Sequence, residues 1–125
     1  MQLNHLDLPV PDVAATAAFF QQYFGFHLRE SRGNNGMAIL TGEGGFVLVL
    51  TRLRAEGADT FPDTFHIGFL LDSDDAVRKV HAGLAESEAA AELSPVNHMR
   101  GAFLFFCRAP GNILIEVSHR PKEPA

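Results

Sequence analysis

The sequence predicts an α+β domain made of two βαβββ modules in tandem, and three observations predict it. The same order of elements, one strand, one helix and three strands, is read twice along the chain. Two good helix-cap residues, Asp12 and Ser73, each follow a strand histidine, His5 and His66, by seven residues. In each half the last three strand candidates come in quick succession, too close together for further helices between them. The halves share few letters, so the repeat rests on the order and registration of elements.

Module one spans residues 1–52. Residues 3–10 form a short strand in which His5, Asp7 and Pro9 share one face and Leu6 and Leu8 the other. Asp12 caps a helix over 13–24, with Val13, Ala17, Phe20 and Phe24 at helical spacing, and Gly25 stops it. Strands are expected over 26–31, 37–41 and 46–52, separated by Gly33-Asn34-Asn35-Gly36 and Gly42-Glu43-Gly44-Gly45, which are turn sequences. Residues 53–64, with charges, Gly57 and Pro62, read as a linker.

Module two spans 65–119, with a tail over 120–125. Its first strand covers 65–71, and Ser73 then caps a helix whose first turn carries Asp74 and Asp75, acids suited to the positive end of the helix. Val77, Val80 and Leu84 form its apolar stripe. Strands are expected over 93–96, 101–107 and 113–118. In the last, Leu114, Glu116 and Ser118 share a face opposed to Ile115 and Val117.

Composition excludes several classes of function. An apolar fraction of 46% with eleven Phe predicts a packed core without cross-links. The net charge of −5, with only Lys79 and Lys122 as lysines, supplies no basic stripe, so nucleic acid is not an expected partner. Apolar runs such as 46–50 and 102–107 are too short to span a membrane, and no secretion leader is read at the start, so a soluble cytoplasmic protein is expected. The lone Cys107 lies in an apolar run and reads as buried filler rather than as a nucleophile.

The candidate chemistry lies on the polar faces of three strands. If the two sheets curl toward each other, their concave faces gather His5, His66 and Glu116, and two imidazoles with one carboxylate hold a divalent transition metal while leaving positions open. Each residue alone also has an ordinary reading, as a hydrogen-bonded strand histidine or a solvated glutamate. Their joint placement favours the metal. Asp7, one strand step from His5, is the acid/base candidate, or else it is solvated or orients His5. His98, in the loop 95–101, either contacts substrate or simply stands exposed, and Phe106 can line an apolar pocket wall.

These residues also carry a resemblance. The stretch Leu3-Asn4-His5-Leu6-Asp7-Leu8-Pro9-Val10-Pro11-Asp12, the helix end Phe20-Gln21-Gln22-Tyr23-Phe24-Gly25-Phe26, the strand Thr64-Phe65-His66-Ile67-Gly68-Phe69 and the run from Ala109-Pro110-Gly111-Asn112 to Glu116 resemble the vicinal oxygen chelate superfamily. That superfamily includes glyoxalase I, methylmalonyl-CoA epimerase, extradiol dioxygenases, fosfomycin-inactivating enzymes and metal-free bleomycin-binding proteins. The resemblance implies a cupped eight-stranded mixed sheet and a homodimer. It also implies one divalent ion, Zn, Ni, Mn, Fe or Co, on His5, His66 and Glu116.

The departures from the resemblance bear on function. Glyoxalase I carries a fourth, carboxylate ligand on its fourth strand, and the corresponding residue here is Val49, which would line the substrate pocket instead. A fosfomycin-type site needs cations, of which Arg100 is the nearby candidate for contacting substrate, while Asp7 would repel a phosphonate. Ring-cleaving dioxygenases use further His and Tyr residues, and the one tyrosine, Tyr23, falls in the first helix. Two function classes follow. One is a metalloenzyme whose ion takes two adjacent oxygens of a small substrate. The other is a small-molecule binding or resistance protein of the bleomycin type, without catalysis.

Overall fold

Asp12 starts the first helix by accepting from the Ala15 amide at 3.1 Å. The helix, α1 (Val13–Phe24), ends on Gly25, whose φ of 70° is left-handed and therefore suits glycine. The structure, a computed structural model, describes residues 1–53 and 61–121 and divides into two compact units, Met1–Thr60 and Phe61–Ala125. The greater part of the linker read over 53–64, and residues 122–125 of the tail, lie outside the described residues.

Each unit has the order strand, helix and three strands. The first contains β1 (His5–Val10), α1, β2 (His27–Arg32), β3 (Met37–Thr41) and β4 (Val47–Arg52). The second contains β5 (His66–Leu70), α2 (Asp74–Ser87), β6 (Asn97–Met99), β7 (Ala102–Ala109) and β8 (Ile113–His119). The strand orders are β1-β4-β3-β2 and β5-β8-β7-β6. In each sheet the first strand pairs in parallel with the last and the other pairings are antiparallel. A parallel pair needs a long crossover, which the helix and the two strands after it supply. The α+β class with two mixed four-stranded sheets is therefore as the sequence predicts.

Strand alternation decides which face packs on the helix. In the first unit Leu8, Val10, Ala38, Leu40, Leu48 and Leu50 are buried, as are Val13, Ala17, Phe19 and Phe20 of α1, which packs on β3 and β4. In the second, Val77 and Leu84 of α2 are buried together with Phe105, Cys107, Ile113, Ile115 and Val117 of the strands it covers. Each such large side chain contributes about 1.5–3 kcal/mol through its removal from water. On the opposite faces His5, Asp7 and His66 are exposed and Glu116 is half-buried. Among the described residues no helix is long and apolar enough to cross a membrane.

The sixth strand differs from expectation. Residues 93–96 are not a strand; β6 covers Asn97–Met99 instead. Pro95 lacks the amide a ladder needs. Just before it, Ser94 spends its hydroxyl accepting from the Phe106 amide at 2.8 Å, while its own amide donates to the Phe106 carbonyl at 2.9 Å. Glu92, with a φ of 50°, has already turned the chain out of extended geometry. Regular pairing therefore begins only after Pro95, and it places His98 in a strand rather than in a loop.

Asp12 has a second partner that the sequence did not reveal. Asn35, from the β2–β3 turn, donates to the Asp12 carboxylate at 3.2 Å and accepts from the Ala14 amide at 2.7 Å. The Ala15 amide and then Asn35 hold the Asp12 carboxyl below the usual aspartate value. A depressed folded value means that the charged cap contributes stability above the unfolded aspartate pKa and that this is lost as pH falls through the folded value. Asp12→Asn, which keeps an N-cap without the titration, is expected to flatten the acid limb of a plot of melting midpoint against pH. An unchanged acid limb would assign the titration to other carboxyls.

Cys107 is buried on β7, and burial pushes its thiol up to about 11. The neutral thiol is a poor nucleophile. Labelling by a thiol reagent at neutral pH is expected to occur only on unfolding, and rapid labelling of the native protein would contradict the burial.

Candidate metal centre

His66 and Glu116 share one face of the second sheet. Glu116 is in register with Gly68 of β5 on one side and with Phe106 of β7 on the other, and His66 stands one strand step before Gly68 on the same face. The carboxylate leans toward β5: a β-carbon placed on Gly68 would lie 3.7 Å from Glu116 Oε2. The His66 ring meets Phe106 edge-on at 6.4 Å between centroids, so Phe106 forms an apolar wall beside both polar groups. Glu116 is half-buried, and its carboxylate has no hydrogen bond or ion pair to any described residue. Such a carboxylate is one that a cation would stabilise.

The His66 ring is held in a defined state. Its Nδ1 donates to the Thr64 carbonyl at 3.0 Å, and because a carbonyl can only accept, the neutral ring carries its proton on Nδ1. Nε2 is thereby left as a bare lone pair, the arrangement a metal-binding imidazole requires. His5, in the other unit, is held alike: its Nδ1 lies 2.7 Å from Asn4 Oδ1. Two histidines at matching module positions therefore both direct Nδ1 to an oxygen acceptor.

In the first unit Asp7 is on the same face of β1 as His5, and Val49 of β4 is its partner in register. The Thr51 hydroxyl donates to Asp7 Oδ1 at 2.7 Å, which fixes the carboxylate over β4. Val49 is half-buried between Asp7 and Ile39, giving that face an apolar centre.

The remaining candidates are not brought to these faces. His98 is in register with Phe103, and its ring lies against Phe103 at 4.8 Å. The Arg78 guanidinium of α2 sits 4.7 Å above the same ring, so His98 belongs to the helix side of the sheet, opposite His66 and Glu116. Arg100 occupies the β6–β7 turn with a φ of 51°, followed by Gly101 at 77°. Four residues of strand, roughly 13 Å, separate Phe106 from Ala102, where that turn ends. Among the described residues no three His, Cys, Asp or Glu side chains are gathered into a group that could hold a metal ion.

Sequence reasoning missed Thr51, Thr64 and Arg108. Thr51 has the same strand parity as Val49, a usable signal once β1 and β4 are known to pair. Thr64 acts through its backbone carbonyl, which leaves no trace in residue type. Arg108 is in register with Leu114, itself in register with His66, so the three stand in one row across β7, β8 and β5.

Comparison with known proteins agrees with this architecture. Residues 2–117 match the family described as Glyoxalase/Bleomycin resistance protein/Dioxygenase superfamily. A solved structure of a possible glyoxalase from Bacillus cereus is 35% identical, with a TM-score of 0.82 over 94% of this chain and 97% of that one. A glyoxylase/bleomycin resistance protein/dioxygenase domain from Frankia sp. EAN1pec has a TM-score of 0.83 at 19% identity, covering 97% of this chain and 98% of that one. A lactoylglutathione lyase from Agrobacterium tumefaciens has a TM-score of 0.73 at 18% identity, covering 94% and 92%. At these lower identities the likeness is one of fold. No curated protein sequence matches the chain at a significant level.

Proposed function

The chain belongs to the Glyoxalase/Bleomycin resistance protein/Dioxygenase superfamily, and from that premise we propose that it is a divalent-metal-dependent enzyme acting on a small molecule with two adjacent oxygens, by lyase, isomerase or dioxygenase type chemistry. One observation carries the reading. His5 and His66, equivalent in the two modules, both keep Nδ1 on an oxygen acceptor and Nε2 bare, and Glu116 stands unpartnered among the described residues on the His66 face.

His5, His66 and Glu116 are the proposed ligands, and their nitrogen and oxygen donors suit Zn, Ni, Mn, Fe or Co. A homodimer and a cytoplasmic setting are part of the same proposal.

A bound divalent ion supplies a Lewis acid for the substrate oxygens. The chain supplies the rest. Asp7, the one carboxylate on its face of β1 and β4, takes up and returns the substrate proton, with Thr51 holding one carboxylate oxygen and leaving the other for the transfer. Phe106 and Val49 furnish apolar walls that exclude water and orient the substrate skeleton. Val49 also favours a second reading, capture of a small molecule without turnover, because it leaves Asp7 with no carboxylate partner on β4.

The test is the metal content of the purified protein, followed by turnover of a panel of hemithioacetals, malonyl-type thioesters and catechols before and after chelation. About one ion per chain is expected, with activity that chelation abolishes and metal restores. Ligand binding that survives chelation, with no turnover, would establish the second reading.

A further inference from the structure

Arg108 lies on the face of His66 and Glu116 and is only 16% exposed, yet it is not a candidate ligand. Its Nε is 2.6 Å from Glu92 Oε2, its Nη1 donates to the Asn112 carbonyl at 3.3 Å, and its Nη2 donates to the Asp63 carbonyl at 3.4 Å. Asp63 and Thr64 are the two central residues of a turn closed by the Phe65 amide on the Pro62 carbonyl at 3.0 Å. The guanidinium therefore grips one carbonyl of this turn, and the next carbonyl along, that of Thr64, holds His66 Nδ1.

We infer that Arg108 is a positioning residue for His66: by holding the Asp63 carbonyl it fixes the 62–65 turn so that the Thr64 carbonyl keeps the ring protonated on Nδ1 and bare on Nε2. The energetics favour positioning over stabilisation. Glu92 is 71% exposed, so water screens the ion pair and it contributes little to folding. The two carbonyl bonds are long, near the limit of useful strength. What a planar fork offers, and a lysine does not, is a simultaneous hold on carbonyls of two separate segments, the 62–65 turn and the turn before β8. The consequence for metal affinity rests on the ligand role proposed above. The consequence for the His66 tautomer does not.

The experiment records long-range proton–nitrogen spectra of the imidazoles in the full metal-free chain, at a pH about two units above the usual histidine value of ~6.5 so that the rings are neutral. His66→Gln assigns the signal. In the unaltered protein Nδ1 is expected to be the protonated nitrogen. Arg108→Met is expected to give a mixture of both tautomers, and Glu92→Gln to leave the pattern unchanged because both carbonyl bonds remain. Arg108→Lys, which keeps the charge facing Glu92 but lacks the fork, is expected to mix the tautomers too and covers the case in which Arg108→Met does not fold. Affinity for cobalt ion should fall about 10–100-fold in either arginine variant, the loss usual when a group orienting a metal ligand is removed. An Nε2-protonated ring in the unaltered protein, or one tautomer persisting in both arginine variants, overturns the inference. A tautomer change in a protein that takes up no cobalt at all upholds the positioning and overturns the metal reading.

Discussion

Glu116→Gln is expected to strip the protein of metal, lowering cobalt or zinc affinity by more than the ~100-fold that marks the loss of an orienting group. The glutamine is nearly isosteric, so the packing of β8 against β5 and β7 should survive, and Ile115 and Val117, the buried neighbours on the other face, are untouched. What changes is the charge of a half-buried group with no partner among the described residues. A neutral amide presents a weaker oxygen donor and no net charge to a cation, and without an ion it fills the same space as the carboxylate it replaces. The metal-free variant should therefore melt no lower than the metal-free parent, while the metal-loaded parent gains a stabilisation that the variant lacks. Isothermal titration with cobalt and melting curves with and without the ion measure both. Equal affinity in parent and variant would remove Glu116 from the ligand set, and a variant that melts well below the metal-free parent would mark it as a structural residue.

Different features of the protein were legible in the sequence to different degrees, and the reason lies in which interactions are local. The caps Asp12 and Ser73, the stop at Gly25 and the alternation of β1 act over a few residues, and each is found where the sequence places it. The face shared by His5 and Asp7 follows from parity alone, as does the face shared by Glu116 and Leu114. Register does not follow from parity. That Glu116 falls beside Gly68 and Phe106, that Thr51 reaches Asp7 and that Arg108 lies in the row of His66 depend on how separate strands slide against one another. His98 shows the converse. Reading residues 95–101 as a loop left its direction open, but once Pro95 delays β6, the strand register turns the ring onto Phe103 and the helix side. The acceptors of His5 and His66 were the least legible, because one is a neighbouring amide side chain and the other a backbone carbonyl.

Phe20→Ala is expected to be the most damaging substitution in the first unit, at about 3–5 kcal/mol, the usual cost of truncating a fully buried aromatic side chain. Phe20 is 0% exposed and lies edge-on to Phe19 at 5.6 Å and to Phe26 at 5.8 Å, with Phe24 also at 5.8 Å. Three of these four rings come from α1, and Phe26 follows the helix stop, so the ring removed is the one that joins the helix to the chain leaving it. The neighbours cannot close the gap freely. Gly42 is already so close to Phe26 that a β-carbon there would meet its Cε1 at 2.6 Å, which shows how tightly the Phe26 ring is seated and limits its movement toward a cavity. A loss of this size is a large part of the ~5–15 kcal/mol that holds a domain folded, and it corresponds to a fall of roughly 10 °C or more in melting midpoint. Leu70→Ala removes an apolar side chain that is 72% exposed and should stay within about 0.5 kcal/mol of the parent. Denaturant unfolding of the two variants compares them directly. A Phe20 variant that unfolds with the Leu70 variant would mean that the ring cluster collapses to fill the space, and that the first unit is held by its leucine-lined sheet rather than by α1.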